Sequence, residues 1–190
     1  MREATNVTCI DDKRVTEPAF GEALFNLVRR TSCELPADLE AALKRAHGEE
    51  APGSTAQMVL AAFLENMRLA REKQLPLCQD TGMPLFFIHH PPGLSPRAMR
   101  KACEDAVKRA TREQYLRHNA VDSVTGVNSG NNVGKGFPGV YCEEWDDDAI
   151  VVALMLKGRE RVPKEGDRRR MLRRREDRMR AGDFKDIFSG

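Results

Sequence analysis

The chain changes character at Gly158, and that switch limits which residues can build a folded core. From Arg159 to Gly190 there are 12 basic and 7 acidic residues in 32 positions, against only five Leu, Ile, Val and Phe. So charged a segment, with so few large apolar side chains, cannot bury enough surface to offset the entropy of ordering it. It is expected to be disordered, or a solvated helix around Met171 to Arg180. Residues 1–158, net −3 against +5 for the remainder, must therefore supply the core, and the expected organisation is one folded unit over 1–158 and a basic tail over 159–190. The hydrophobic share of 41% is that of a globular protein, and the charged share of 32% exceeds the usual roughly 25%. With an overall charge of only +2, the chain carries no general signature of a nucleic-acid or membrane binder.

Five cysteines, Cys9, Cys33, Cys78, Cys103 and Cys142, form an odd set without a C-x-x-C pair. That excludes a disulfide scaffold and a zinc ribbon as the organising principle and suits a reducing cytoplasm. The first residues lead into Asp11-Asp12-Lys13-Arg14 without an apolar stretch, and the longest aliphatic run, Ala149 to Leu156, is far short of the ~20 residues that span a bilayer. No leader and no membrane span are expected.

Apolar residues recurring at spacings of 3 and 4 predict three helices before residue 76. Pro18 starts the first, ahead of Phe20, Leu24, Leu27 and Val28; Leu39 and Leu43 mark the second, with Gly48 as a candidate C-cap. Ser54 and Gln57 have capping-box spacing before the third, which runs through Met58, Leu64, Met67 and Leu69 and ends at Pro76. An apolar strand follows over 84–88, then a fourth helix from Ser95-Pro96 to about Arg117, with Met99, Cys103, Ala106, Val107 and Ala110 on its core face. Residues 118–138 lack periodicity. Gly139 to Trp145 and Ala149 to Leu156 flank Asp146-Asp147-Asp148 in the manner of a β-hairpin, the second strand being buried. The fold class expected is α+β, a helical layer on a small mixed or antiparallel sheet, with a basic disordered tail.

Between the third helix and the first strand, Cys78-Gln79-Asp80-Thr81-Gly82 places a thiol, an amide, a carboxylate and a hydroxyl in consecutive positions before a permissive glycine. Taken alone, the segment also fits a buried small hydrophobe beside an ordinary Asx turn. His89-His90 has no partner at zinc-site spacing and reads as a strand end with one exposed histidine. The glycine-rich stretch 126–139 lacks G-x-G-x-x-G and G-K-[ST], so it is no dinucleotide or phosphate loop. Arg117, taken alone, reads as a solvated surface charge.

The Cys78–Gly82 segment resembles the C-Q-D-T-G signature of the iron–sulfur hydro-lyases, the class I fumarate hydratase and L-tartrate dehydratase alpha-subunit family. Three later segments match in order: Arg112 to Arg117 resembles the family's Leu-Arg helix end, Asn128-Ser129-Gly130-Asn131-Asn132 its N-[ST]-G-x-N loop, and Val151 to Gly158 its strand into a Lys-Gly turn. The resemblance implies a [4Fe–4S] cluster held by three cysteine thiolates, with Cys78 as one metal ligand. The fourth iron, free of protein ligands, would act as a Lewis acid on the hydroxyl of a small dicarboxylic 2-hydroxy acid. It further implies Asp80 as a catalytic residue, with Gln79, Asp80 and Arg117 contacting substrate, Arg117 in a neighbouring subunit's site through its planar guanidinium. The proton-abstracting base would come from a separate C-terminal domain or a beta subunit, and the intact enzyme would be a homo-oligomer or hold a beta-subunit partner.

The match stops after Gly158, where the family continues Gly-Gly and this chain reads Arg159-Glu160-Arg161. Neither of the other two cluster cysteines follows, so the tail reads as a frameshifted or truncated end and the chain alone as an incomplete, inactive enzyme. Two other readings stand beside it. One is a folded but inert remnant exposing apolar surface. The other is a non-catalytic binding protein using the basic tail, although no aromatic interleaves Arg159 to Arg180 to stack on bases.

Overall fold

The structure is a computed structural model and describes residues 13–78, 83–122, 124–157 and 179–180. Its elements are α1 (Lys13–Thr16), α2 (Pro18–Cys33), α3 (Ala37–Glu49), α4 (Thr55–Lys73), β1 (Met83–His90), α5 (Pro96–Arg112), β2 (Gly139–Glu144), β3 (Val151–Lys157) and the two-residue β4 (Met179–Arg180). The strands form one mixed sheet in the order β2-β1-β3-β4. β1 runs parallel to β2 and antiparallel to β3. The α+β class expected from sequence is therefore what the chain adopts, with the mixed form of the sheet.

The helices start where the capping chemistry puts them. Pro18 and Pro96 occupy first turns, where a missing N–H costs nothing. Ser54 Oγ accepts from the Gln57 amide at 3.1 Å while Gln57 Oε1 accepts from the Gly53 amide at 2.8 Å, a reciprocal cap for α4. Their ends are less obedient. Gly48 lies inside α3, which runs on to Glu49, so it is no cap. α4 stops at Gln74, whose left-handed backbone (φ 52°) turns the chain before Pro76 is reached. α5 ends at Arg112 and not near Arg117, because Gln114 takes φ 67° and the Tyr115 and Leu116 amides both turn back to the Ala110 carbonyl. Leu116 thereby enters the core at 2% exposure.

α2 and α5 lie side by side on one face of the sheet. Phe20, Leu24, Phe25 and Val28 of α2 meet Met99, Cys103, Ala106, Val107 and Ala110 of α5 over Phe86, Ile88, Val140, Val152 and Leu154. Arg109 joins the two helices, its guanidinium 3.7 Å above the Phe25 ring and paired with Glu22 and Glu113. Leu85, Phe87 and Ala153 are buried on the opposite face.

The expected hairpin between β2 and β3 does not form. The turn around Asp146–Asp148 is real, closed by Trp145 Nε1 donating to the Ala149 carbonyl at 2.9 Å and by the Ala149 amide donating to Asp147 Oδ1 at 3.0 Å. Its flanking strands, however, pair with opposite edges of β1, not with each other. β1 is buried on both faces from Pro84 to Ile88, which demands a central position with a strand on either side. β2, half exposed, suits an edge. The histidines at the end of β1 also differ from expectation, since neither is exposed: His90 is buried with Nδ1 2.8 Å from the Pro91 carbonyl, and half-buried His89 packs on Trp145.

Met179 and Arg180 are extended and pair with Val152 and Val151, so the solvated helix expected up to Arg180 does not include them. The rest of that expectation, on residues 159–178, and the disorder expected of the tail lie outside the described residues. Among the described residues, no helix is long and apolar enough to cross a membrane.

Candidate functional site

The loop that leaves α4 is held at Leu77. Its amide donates to the Ser32 carbonyl at 2.9 Å, and its carbonyl accepts from Asn66 Nδ2 at 2.9 Å. The first bond fixes the loop to the last turn of α2 and the second to the middle of α4. Cys78 follows immediately, with an exposed side chain. Gln79 and Asp80 lie outside the described residues, so the structure does not place the amide and carboxylate expected beside the thiol.

Arg117 stands on a second segment, 113–122, that follows α5. This segment has almost no regular structure and depends on side chains for its shape. Asn132, 4% exposed, supplies most of them: its Oδ1 accepts from the Asn119 and Ala120 amides at 2.8 and 3.0 Å, and its Nδ2 donates to Thr111 Oγ1 at 3.0 Å and to the Arg117 carbonyl at 2.6 Å. All four hydrogen-bonding sites of the amide are thus used. Asn128 Nδ2 adds a bond to the His118 carbonyl at 2.7 Å, and its Oδ1 accepts from the Gly130 amide at 2.8 Å. The left-handed backbone of Asn132 (φ 57°) and Gly130 (φ 71°) lets the loop turn back onto α5. The Asn128–Asn132 motif is therefore a clamp for the Arg117 segment, and the Arg117 side chain itself is exposed.

Ser32 connects the two segments. Its carbonyl holds Leu77 and its hydroxyl donates to the Tyr115 carbonyl, so the chain leading to Cys78 and the chain leading to Arg117 rest on one buried residue. Sequence reasoning missed Ser32, Asn66 and Thr111, because each acts on groups of other elements and stands in no motif.

The four described cysteines are not equivalent donors. Burial pushes the Cys33 thiol up to about 11 and raises those of Cys103 and Cys142 as well. Cys103, as expected, is core. Thiolates are the metal-binding form, so these three are poor ligands, and Cys78 is the exposed thiol of the set. Cys9 lies outside the described residues. Among the described residues, no three His, Cys, Asp or Glu side chains stand close enough to hold a metal ion. The described residues thus offer one exposed thiol, Cys78, and no complete metal site. A cavity of about 450 Å³, lined by Pro96, Arg97, Arg100, Val140 and Cys142, includes none of the expected site residues.

Two side-chain-braced loops, one leading to the exposed Cys78 thiol and one carrying the exposed Arg117, are thus tied to the same residue at the end of α2. The fumarate hydratase (Fumerase) family model matches residues 22–160, a span containing both loops, and the chain belongs to that family. It is 42% identical over 137 residues to a Geobacillus stearothermophilus protein described as a class I fumarate hydratase, covering 72% of this chain and 27% of the relative. A Methanocaldococcus jannaschii protein described as an L(+)-tartrate dehydratase alpha subunit is 34% identical over 144 residues, 73% of this chain and 50% of the relative. The L(+)-tartrate dehydratase subunit alpha of Escherichia coli K12 is 33% identical over 161 residues, with 76% and 51% covered. The chain thus spans between about a quarter and about half the length of these curated relatives.

Proposed function

We propose that this chain is the N-terminal part, or a subunit, of an iron–sulfur hydro-lyase that reversibly hydrates fumarate to malate or dehydrates tartrate. The observation that supports it most is the state of Cys78: an exposed thiol, on a loop anchored through Leu77, in a chain whose other described cysteines are buried or half-buried. A structural cysteine belongs in the core, as Cys103 does. Cys78 supplies one thiolate to a [4Fe–4S] cluster, and two more must come from outside the described residues. Arg117 binds a substrate carboxylate through its planar guanidinium, and Gln79 and Asp80 contact the same substrate, Asp80 as a catalytic residue. In this reading residues 159–190 are an aberrant basic end, and the working enzyme is a homo-oligomer or contains a beta subunit, in the cytoplasm.

The single exposed thiol among the described residues favours a second statement within the same reading, that the chain alone is catalytically inert. Both are tested by assaying fumarate hydration and tartrate dehydration under anaerobic iron and sulfide reconstitution, first with the chain alone and then with the unmatched region of a longer relative supplied in trans. The chain alone is expected to turn over neither substrate, and the complemented protein one of them. Turnover by the chain alone refutes its inertness, and an iron-loaded complemented protein inactive on both substrates refutes the hydro-lyase reading.

A further inference from the structure

Lys157, the last residue of β3, carries a charge that nothing around it offsets. Lys44, Lys101 and Lys108 keep 40% or more of their side chains in water, and each stands within 3.4 Å of a carboxylate. The Lys157 Nζ atom is shut off from solvent and has no hydrogen-bond partner. A lysine can bury its stem and still turn its head to water, but here the head itself is buried. Taking an ammonium out of water without pairing it is costly, and a methionine would fill a similar volume without that cost.

The place of this charge in the fold is specific. β3 pairs antiparallel with β1, and Lys157 lies opposite Met83. Residues facing each other in such a pair present their side chains on one face. Lys157 therefore shares the sheet face of Met83 and Met155, the face turned away from the α2–α5 layer. Met83 is the first residue of β1, and only Gln79–Gly82 separate it from Cys78. The uncompensated charge thus stands at the strand end that receives the loop of the candidate site.

We propose that the Lys157 ammonium is an anion-binding group of this site, and that its partner is a carboxylate of the small dicarboxylic acid. The inference rests on the hydro-lyase reading and deepens it. An acid with two carboxylates needs a cation for each, and Lys157 is a second one, on a different element from Arg117. The two differ in kind. Arg117 offers a planar fork at an exposed position, whereas Lys157 is a point charge in a dry place, where attraction to a carboxylate is strongest.

The test is a set of melting curves of the iron-free full chain with and without fumarate, L-malate and L(+)-tartrate. At saturation at least one of the three acids is expected to raise the wild-type melting temperature by about 3 °C or more, by binding the folded form. Lys157→Met should melt above the ligand-free wild type, since it removes a buried charge and keeps the volume, and should lose the ligand shift. Lys157→Arg keeps the charge and part of the shift, and Lys101→Met, at an exposed lysine, keeps all of it. Inorganic phosphate at equal ionic strength is expected to give none. Cys78→Ala should also keep the shift, because no iron is present, and the hydro-lyase reading is judged by turnover, which this measurement does not use. Failure of either is therefore read apart from failure of Lys157. A shift that survives Lys157→Met, a Lys157→Met chain that melts below the wild type, an equal shift with phosphate, or no shift with any of the three acids would each overturn the proposal.

Discussion

Asn132 shows how much of a site can hang on one amide. Two donors and two acceptors of the Arg117–Ala120 backbone and Thr111 end on its side chain, in a place with 4% exposure where water cannot replace it. Asn132→Ala should therefore destabilise the protein by about 2–3 kcal/mol, the cost of leaving buried amides unpaired, read as a lowered urea midpoint. Ser32→Ala should cost about 1 kcal/mol, since it removes one hydroxyl bond to Tyr115 but keeps the carbonyl that holds Leu77. Unchanged midpoints for both variants would show that neither residue bears the loops. The first of these residues was legible in part: Asn132 closes a motif with a family likeness, though nothing in the motif says which backbone it clamps. Ser32 was not legible, because its two partners are backbone groups 45 and 83 positions away, and backbone atoms leave no trace in a residue pattern.

At the scale of elements, α3 shows what holds a helix that buries nothing. Glu40 accepts from Lys44 at 2.8 Å and from Arg71 of α4 at 2.6 Å, and those hydrogen bonds, Lys44's first, hold its carboxyl down to about 2. The folded value lies below the ordinary 4.5, so the stabilisation is fully present above about pH 4.5 and disappears as pH falls toward about 2. Amide exchange in α3 should accelerate over that window ahead of exchange in α5, and Glu40→Gln should remove the difference. Identical acid profiles in the two helices would contradict it. The existence of all four long helices was readable from spacing and caps, whereas their ends were not. Gln74 and Gln114 stop their helices by adopting left-handed backbone, a conformation glutamine does not advertise. The Asp146–Asp148 turn misled for a related reason. Its local chemistry is that of a tight connection, but the two-sided burial of β1 takes the space between the flanking strands, and that competition is decided by residues some sixty positions away.

For the whole molecule, the α2–α5 layer and the mixed sheet share one core, and the exposed Cys78 thiol lies outside it. The most direct test is iron stoichiometry after anaerobic reconstitution of the complemented protein, wild type against Cys78→Ala. Ligation by Cys78 predicts bound iron and sulfide in the wild type and their loss in Cys78→Ala with the complex still assembled; equal iron in both would mean that Cys78 holds no part of a cluster.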